Sequence, residues 1–179
     1  AQLPDALRSL HAAVGKGIIL STCNRSEVYA IAPTIKGGAH DLKAFCASYH
    51  GIDPAELEPH LYVYSQRGAV QHLVRVACGL DSLIIGESQV LGQVRDAYGA
   101  SARLDMAGGA LARLCHQALR VGKRARTETE IGRHALSVSH AAVELARRTL
   151  GDLSQKRVLV IGVGDAGATA ARALADVGV

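Results

Sequence analysis

A thiol stands at the end of an apolar run. Ile18-Ile19-Leu20 reads as a buried strand, and the polar turn Ser21-Thr22-Cys23-Asn24-Arg25-Ser26 follows it. Strand ends are common places to display reactive groups. A guanidinium two residues from Cys23 favours the thiolate, which is the nucleophilic form of a cysteine. Thr22 and Asn24 can donate hydrogen bonds to a bound carbonyl or carboxylate. The same pattern also suits a cysteine packed as a small hydrophobe, and spacing alone leaves both readings open. Cys46, Cys78 and Cys115 fall among apolar residues on expected helices, where the packing reading is favoured. No CxxC occurs and no Cys-His set has zinc-site spacing, so no metal site is expected.

A second polar group runs from Gly79 to Arg95, just after a helix that carries His72. It sets Ser82, Glu87, Ser88, Gln89 and Gln93 among apolar residues. Gln89 and Gln93 are four apart and share one helix face, and Ser88 or Glu87 is placed to cap that helix. A capped surface helix would read the same way. Arg120, Lys123, Arg124 and Arg126 form a basic cluster, which is either a solvated helix face or a contact for a phosphate backbone.

The third group is a glycine loop. Val158-Leu159-Val160-Ile161 is a continuous apolar run, as in a parallel strand buried on both faces. It leads into Gly162-Val163-Gly164-Asp165-Ala166-Gly167, and Ala168 to Ala175 reads as a helix. In a dinucleotide fold Gly162 allows the tight turn, Gly164 lets backbone approach a pyrophosphate, and Gly167 lets helix and strand pack closely. The helix N-terminus offers free N–H groups to the phosphate. Asp165 should point away from that anion. An ordinary strand-turn-helix with packing glycines is the alternative. The residue that separates NAD from NADP stands ~20 positions after the glycines, beyond Val179.

These groups need positioning elements. Pro4 to Val14 has helical spacing of Leu7, Leu10 and Val14, and Glu27 to Ala32 reads as a second strand. Pro33 to Gly38 reads as loop, His40 to His50 as helix, and Leu61-Tyr62-Val63-Tyr64 as a short third strand. Helices are expected over Ala69 to Ala77, Gln89 to Leu104, Ala107 to Arg126 and about His134 to Leu150. Gly151 to Gln155 reads as a linker, and Arg157 opens a new strand.

The 179 residues are 49 % apolar, enough for a sizeable core, with one Phe, no Trp and five Tyr, so stacking platforms for single-stranded nucleic acid are scarce. The net charge of +4 permits an anionic partner without requiring one. No apolar run reaches the ~20 residues of a membrane span, and the N-terminus has no secretory pattern. A cytoplasmic protein with reduced thiols is expected. The first residue is Ala rather than Met, so a longer protein is expected.

Taken in order, Leu20 to Tyr29, His72-Leu73, Gly79 to Ser82, Gly86 to Gln93, Ala135 to Ser139 and the glycine loop resemble glutamyl-tRNA reductase. The resemblance covers nearly the whole chain. It implies an α/β fold class: an α+β catalytic and substrate-recognition domain over 1–131, a connecting helix and linker over 132–155, and the first β-α of a Rossmann domain over 156–179. It implies NADPH-dependent reduction of glutamyl-tRNA(Glu) to glutamate-1-semialdehyde, the first step of tetrapyrrole synthesis from glutamate. Cys23 would form a thioester, and His72 would orient the ester or handle a proton. Thr22, Asn24, Arg25, Ser82, Glu87, Ser88, Gln89 and Gln93 would recognise substrate, with Arg25 on the glutamate carboxylate. Residues 162–167 would hold the cofactor. The resemblance also implies a homodimer formed through a C-terminal domain beyond this chain, and glutamate-1-semialdehyde aminomutase as a partner. Ser88 departs from the Pro of many members, and Asp165-Ala166 from their Glu-Met. A non-catalytic tRNA- or nucleotide-binding regulator on the same scaffold, or an unrelated NAD(P) dehydrogenase, would share parts of the pattern. Joint retention of Cys23, Arg25, His72 and Gln89 weighs against the regulator.

Overall fold

A computed structural model describes residues 2–87, 89–132, 138–162 and 164–179. Helix α1 (Gln2–Val14) leads into strands β1 (Gly17–Ser21) and β2 (Ser26–Ala30), which pair antiparallel with Ser21 opposite Ser26. Residues 22–25 are therefore the loop of a hairpin. Then come α2 (Ile35–His50), the short α3 (Pro54–Leu57) with a 3-10 turn over Glu58–His60, α4 (Arg67–Cys78), α5 (Gln89–Arg103) and α6 (Ala110–Glu128). A 3-10 turn over Glu130–Gly132 precedes α7 (Val138–Leu150) and α8 (Asp165–Asp176).

Helix α2 starts inside the expected 33–38 loop. Thr34 caps it, its Oγ1 accepting from the Gly37 N–H at 3.1 Å. That bond satisfies one of the orphan donors of the first turn, and it outweighs the poor helix propensity of Gly37 and Gly38. Asp53 does the same for α3, accepting from the Ala55 N–H at 2.7 Å, so a short helix forms in the stretch between His50 and Leu61 for which no element was expected.

The two-stranded sheet lies between two helical layers. Ile18, Leu20 and Tyr29 face Leu73 and Val76 of α4, Val90 and Val94 of α5, and Leu111 and Ala118 of α6. Ile19 faces the other way, onto Leu7 and Leu10 of α1 and Phe45 of α2. Apolar cover on both faces explains why the strand reads as an unbroken apolar run.

Two expected strands do not form. Tyr62, Val63 and Tyr64 are half exposed and join no ladder; the segment is held instead by the Tyr62 hydroxyl, which reaches Glu27. Residues 158–161 also lack a ladder, and Leu159 and Ile161 are 83 % and 90 % exposed rather than buried. A strand needs backbone partners on a neighbouring strand, and β1–β2 is the only sheet among the described residues. Helices α7 and α8 pack on each other through Val143, Leu153 and Ala173. Among the described residues no helix is long and apolar enough to cross a membrane.

Leu111 is 1 % exposed at the centre of the larger core. Leu111→Ala should lower the unfolding free energy by roughly 2–5 kcal/mol, whereas Leu145→Ala, at a site 64 % exposed, should change it by less than about 0.5 kcal/mol. Urea denaturation of both variants checks this.

Candidate active site

The hairpin loop is built by Thr22. Its N–H donates to the Arg25 carbonyl at 2.8 Å, and its Oγ1 accepts from the N–H groups of Asn24 and Arg25 at 3.1 and 3.2 Å. This local network leaves the side chains of Cys23 and Asn24 exposed and turns Arg25 inward. The Arg25 side chain is 9 % exposed; its Nη2 donates to the Asp81 carbonyl, and its Nη1 lies 3.7 Å from Glu27 Oε1 with no hydrogen-bond partner among the described residues.

Glu27 is the centre of the cluster. It sits on β2 in phase with Tyr29, so the pleat carries it inward, and it is 6 % exposed. Tyr29 donates to its Oε2 at 2.5 Å; Tyr62 and His72 donate to its Oε1 at 2.6 and 2.8 Å. Burial alone would raise the Glu27 carboxyl, but the hydrogen bonds from Tyr29, Tyr62 and His72 and the His72 charge outweigh it and hold the group below its ordinary range. The same contacts, after burial, push the Tyr29 and Tyr62 phenols up. Because a carboxylate only accepts, His72 Nε2 must carry a proton. Its Nδ1 stands 3.5 Å from Asp81 Oδ2. Asp81 is also held by Arg75 at 2.7 Å, whose hydrogen bond is the main cause of its lowered pKa. Tyr64 covers the imidazole, ring centres 4.7 Å apart.

Asn24, Arg25, Tyr62, Tyr64, Gly68, Gln71, His72, Arg75 and Asp81 line a cleft of about 510 Å³. The cleft offers guanidinium, carboxylate, imidazole and phenol groups within one small volume. A ligand bearing both a carboxylate and an ammonium would find a partner for each.

The loop after α4 brings in the second sequence group. Asp81 is bound by Arg25, and Ser82 follows it with a buried hydroxyl that has no partner among the described residues. Glu87 is half-buried; Gln89 opens α5 and Gln93 lies one turn on, on the same face. Ser88 lies outside the described residues. Burial pushes the Cys46 thiol up and raises Cys78 against the nearby Arg126 charge; it pushes Cys115 up to about 11. Of the four free thiols, only Cys23 is exposed. The basic cluster on α6 is smaller than its sequence suggests. Arg124 pairs with Glu128 at 2.7 Å, and Arg126 folds back into the domain.

At the glycine loop, a Cβ on Gly167 would stand 2.3 Å from the Gly162 carbonyl, while one on Gly164 would meet nothing within 4 Å. Gly167 therefore serves close packing, and the backbone at Gly164 is open to a ligand. Gly164 is the N-cap of α8 and makes no side-chain cap, so no side chain of its own competes for the first N–H groups. These features fit a bound pyrophosphate. Ala166 is exposed, and its carbonyl accepts from Ser139 Oγ of α7 at 2.9 Å. Val163, the side chain of Asp165 and residues 133–137 lie outside what is described.

A family model described as "Glutamyl-tRNAGlu reductase, N-terminal domain" matches residues 1–129. The chain belongs to the glutamyl-tRNA reductase family. A glutamyl-tRNA reductase of Syntrophotalea carbinolica is 50 % identical over 161 residues, which is 90 % of this chain and 36 % of that protein. One of Priestia megaterium is 45 % identical over 175 residues, 97 % of this chain and 39 % of that protein. The solved glutamyl-tRNA reductase from Methanopyrus kandleri superposes with a TM-score of 0.64 at 40 % identity, covering 98 % of this chain and 41 % of that one. The chain thus spans about two-fifths of the length of these reductases.

Glu27, Tyr62, Tyr64, Arg75 and Asp81 had no place among the site residues expected from sequence. Only Glu27 left a signal there, as a charge on the inward phase of an apolar strand.

Glu27 titrates below its ordinary value of 4.5 when folded. Its contribution to stability is therefore fully present above about pH 4.5 and is lost as pH falls through the lowered folded value. Glu27→Gln keeps one acceptor and loses the charge, so it should cost roughly 1.5–3 kcal/mol at neutral pH. The gap to the parent protein should narrow in urea melts as pH falls below about 4.5 and through the lowered folded value; a gap that stays constant would contradict the assignment.

Proposed function

We propose that this chain is the thioester-forming part of a glutamyl-tRNA reductase, which reduces glutamyl-tRNA(Glu) to glutamate-1-semialdehyde for tetrapyrrole synthesis. The observation that carries the reading is the hairpin loop: it exposes Cys23 while its neighbours Asn24 and Arg25 line a cleft suited to an amino acid. The Nη1 of Arg25, buried and without a hydrogen-bond partner among the described residues, is the group for the glutamate side-chain carboxylate. Asp81 offers a charge to the α-ammonium.

The Cys23 thiolate attacks the ester carbonyl carbon. A carbon–sulfur bond forms, the ester carbon–oxygen bond breaks, and the departing tRNA oxygen takes up a proton equivalent to the one the Cys23 thiol gave up on ionising, leaving as the free hydroxyl. Thr22, Asn24, Ser82, Glu87, Ser88, Gln89 and Gln93 are the groups that recognise the glutamyl end. His72, held between Glu27 and Asp81, orients this cluster. Bound at Gly162, Val163, Gly164, Asp165, Ala166 and Gly167, NADPH would supply the hydride that releases the aldehyde and restores the thiolate. On this reading 1–131 form the catalytic domain, 132–155 the connection and 156–179 the start of the cofactor domain. The active protein is a cytoplasmic homodimer that passes its aldehyde to glutamate-1-semialdehyde aminomutase.

Without NADPH, glutamyl-labelled tRNA should leave label on the protein that hydroxylamine releases, and Cys23→Ser should carry none. Aldehyde formation by Cys23→Ser would refute the mechanism. Arg25→Lys should raise KM for glutamyl-tRNA by roughly tenfold or more, since an ammonium cannot bridge the Asp81 carbonyl and a carboxylate in the same geometry; steady-state kinetics read the change.

A further inference from the structure

Arg126 lies on α6, outside the cleft, yet its guanidinium joins three segments. Its Nη1 donates to the carbonyls of Ala77, at the end of α4, and Gly122, on α6 itself, both at 2.9 Å. Its Nη2 donates to the Glu87 carbonyl at 2.8 Å, two residues before α5 begins. Its Nε is buried without a partner among the described residues. The helices must approach closely for this reach: a Cβ on Gly122 would stand 2.7 Å from the Ala77 carbonyl. A cation at the C-terminal carbonyls of α4 also complements that helix's dipole.

The segment 79–87 is thereby gripped at both ends by arginines. Arg25 takes the Asp81 carbonyl and Arg126 takes the Glu87 carbonyl. The Gly86 N–H donates to the Gly79 carbonyl at 2.9 Å and closes the loop. Gly86 has φ of +86°, and a Cβ there would meet the Ile131 carbonyl at 1.9 Å, so the loop is seated against the turn after α6.

We propose that Arg126 is a positioning residue that holds the 79–87 loop and the start of α5 in register with the Cys23 hairpin, and so sets recognition of the glutamyl ester. The proposal rests on the function given above. A planar fork can serve three carbonyls from one position; an ammonium cannot.

The test uses Arg126→Lys and Arg126→Gln in the full-length reductase. Acylation of Cys23 by glutamyl-tRNA without NADPH should show KM raised by roughly tenfold or more, with the maximal rate changed less than about threefold. Alkylation of Cys23 by iodoacetamide, which needs no loop, should stay within about twofold of the parent rate. Unchanged KM, or acylation and alkylation falling together, would overturn the proposal. Hydrogen exchange reads the anchoring without any substrate: amides of Gly86 and Glu87 should exchange about tenfold faster in Arg126→Lys while those of Val76 and Ala77 do not. Unaltered exchange at Gly86 and Glu87 also overturns it. A parent protein that forms no acyl adduct refutes the functional reading instead. If neither variant folds, Gly86→Ala, which pushes the loop off Ile131, must give the same split between acylation and alkylation, or the proposal fails.

Discussion

Glu27 is a carboxylate carried into the protein on a strand whose neighbours are apolar. An ionised group placed there without partners would cost several kcal/mol. The chain meets that cost from three separate places: Tyr29 on the same strand, Tyr62 in the segment before α4, and His72 on α4, with the Arg25 charge beside them. Satisfying one buried charge therefore assembles the site. It draws the hairpin loop, the 61–64 segment and α4 to one point, and it sets which imidazole nitrogen carries the proton. It also turns Arg25 away from the surface, where its Nη2 donates to the backbone of the loop after α4.

Arginine does a second kind of work in this fold. Arg25 and Arg126 each end on a carbonyl of the same loop, one near its start and one at its end. Loops lack the repeating bonds of helices and strands, so a loop that must hold a fixed shape needs such anchors. Hydrogen bonds from charged donors are the stronger kind, and a guanidinium directs several of them in fixed directions. The exposed part of the α6 basic cluster is correspondingly reduced to residues other than Arg126.

The glycine loop belongs to a second, smaller packing unit. Its helix α8 is fixed to α7 by Val143, Leu153 and Ala173 and by Ser139 on the Ala166 carbonyl. Residues 158–161, which precede it, join no ladder among the described residues, and Leu159 and Ile161 stand in solvent. Local features of the loop, such as the tight approach at Gly167 and the open backbone at Gly164, are nonetheless in place, because they depend on the turn and helix alone.

What could be read from the sequence was what neighbouring residues decide among themselves. The helical stripe of α4, the Cys23 turn between two strands, the capless glycine-rich start of α8 and the packed character of Cys78 and Cys115 all rest on spacing within a few residues. The motif order was legible too, and it named a family that the comparisons share. Caps decided by single bonds, at Thr34 and Asp53, were present in the sequence, but Thr34 was read as loop and Asp53 was given no element. The strands at 61–64 and 158–161 were misread because alternation or apolarity describes a side chain's preference, whereas a ladder requires another strand at the right distance. The roles of Glu27, Asp81 and Arg126 were decided by tertiary structure alone. Each is defined by partners far away in sequence, and only packing of the elements reveals whether a charge finds a donor, a carbonyl or water.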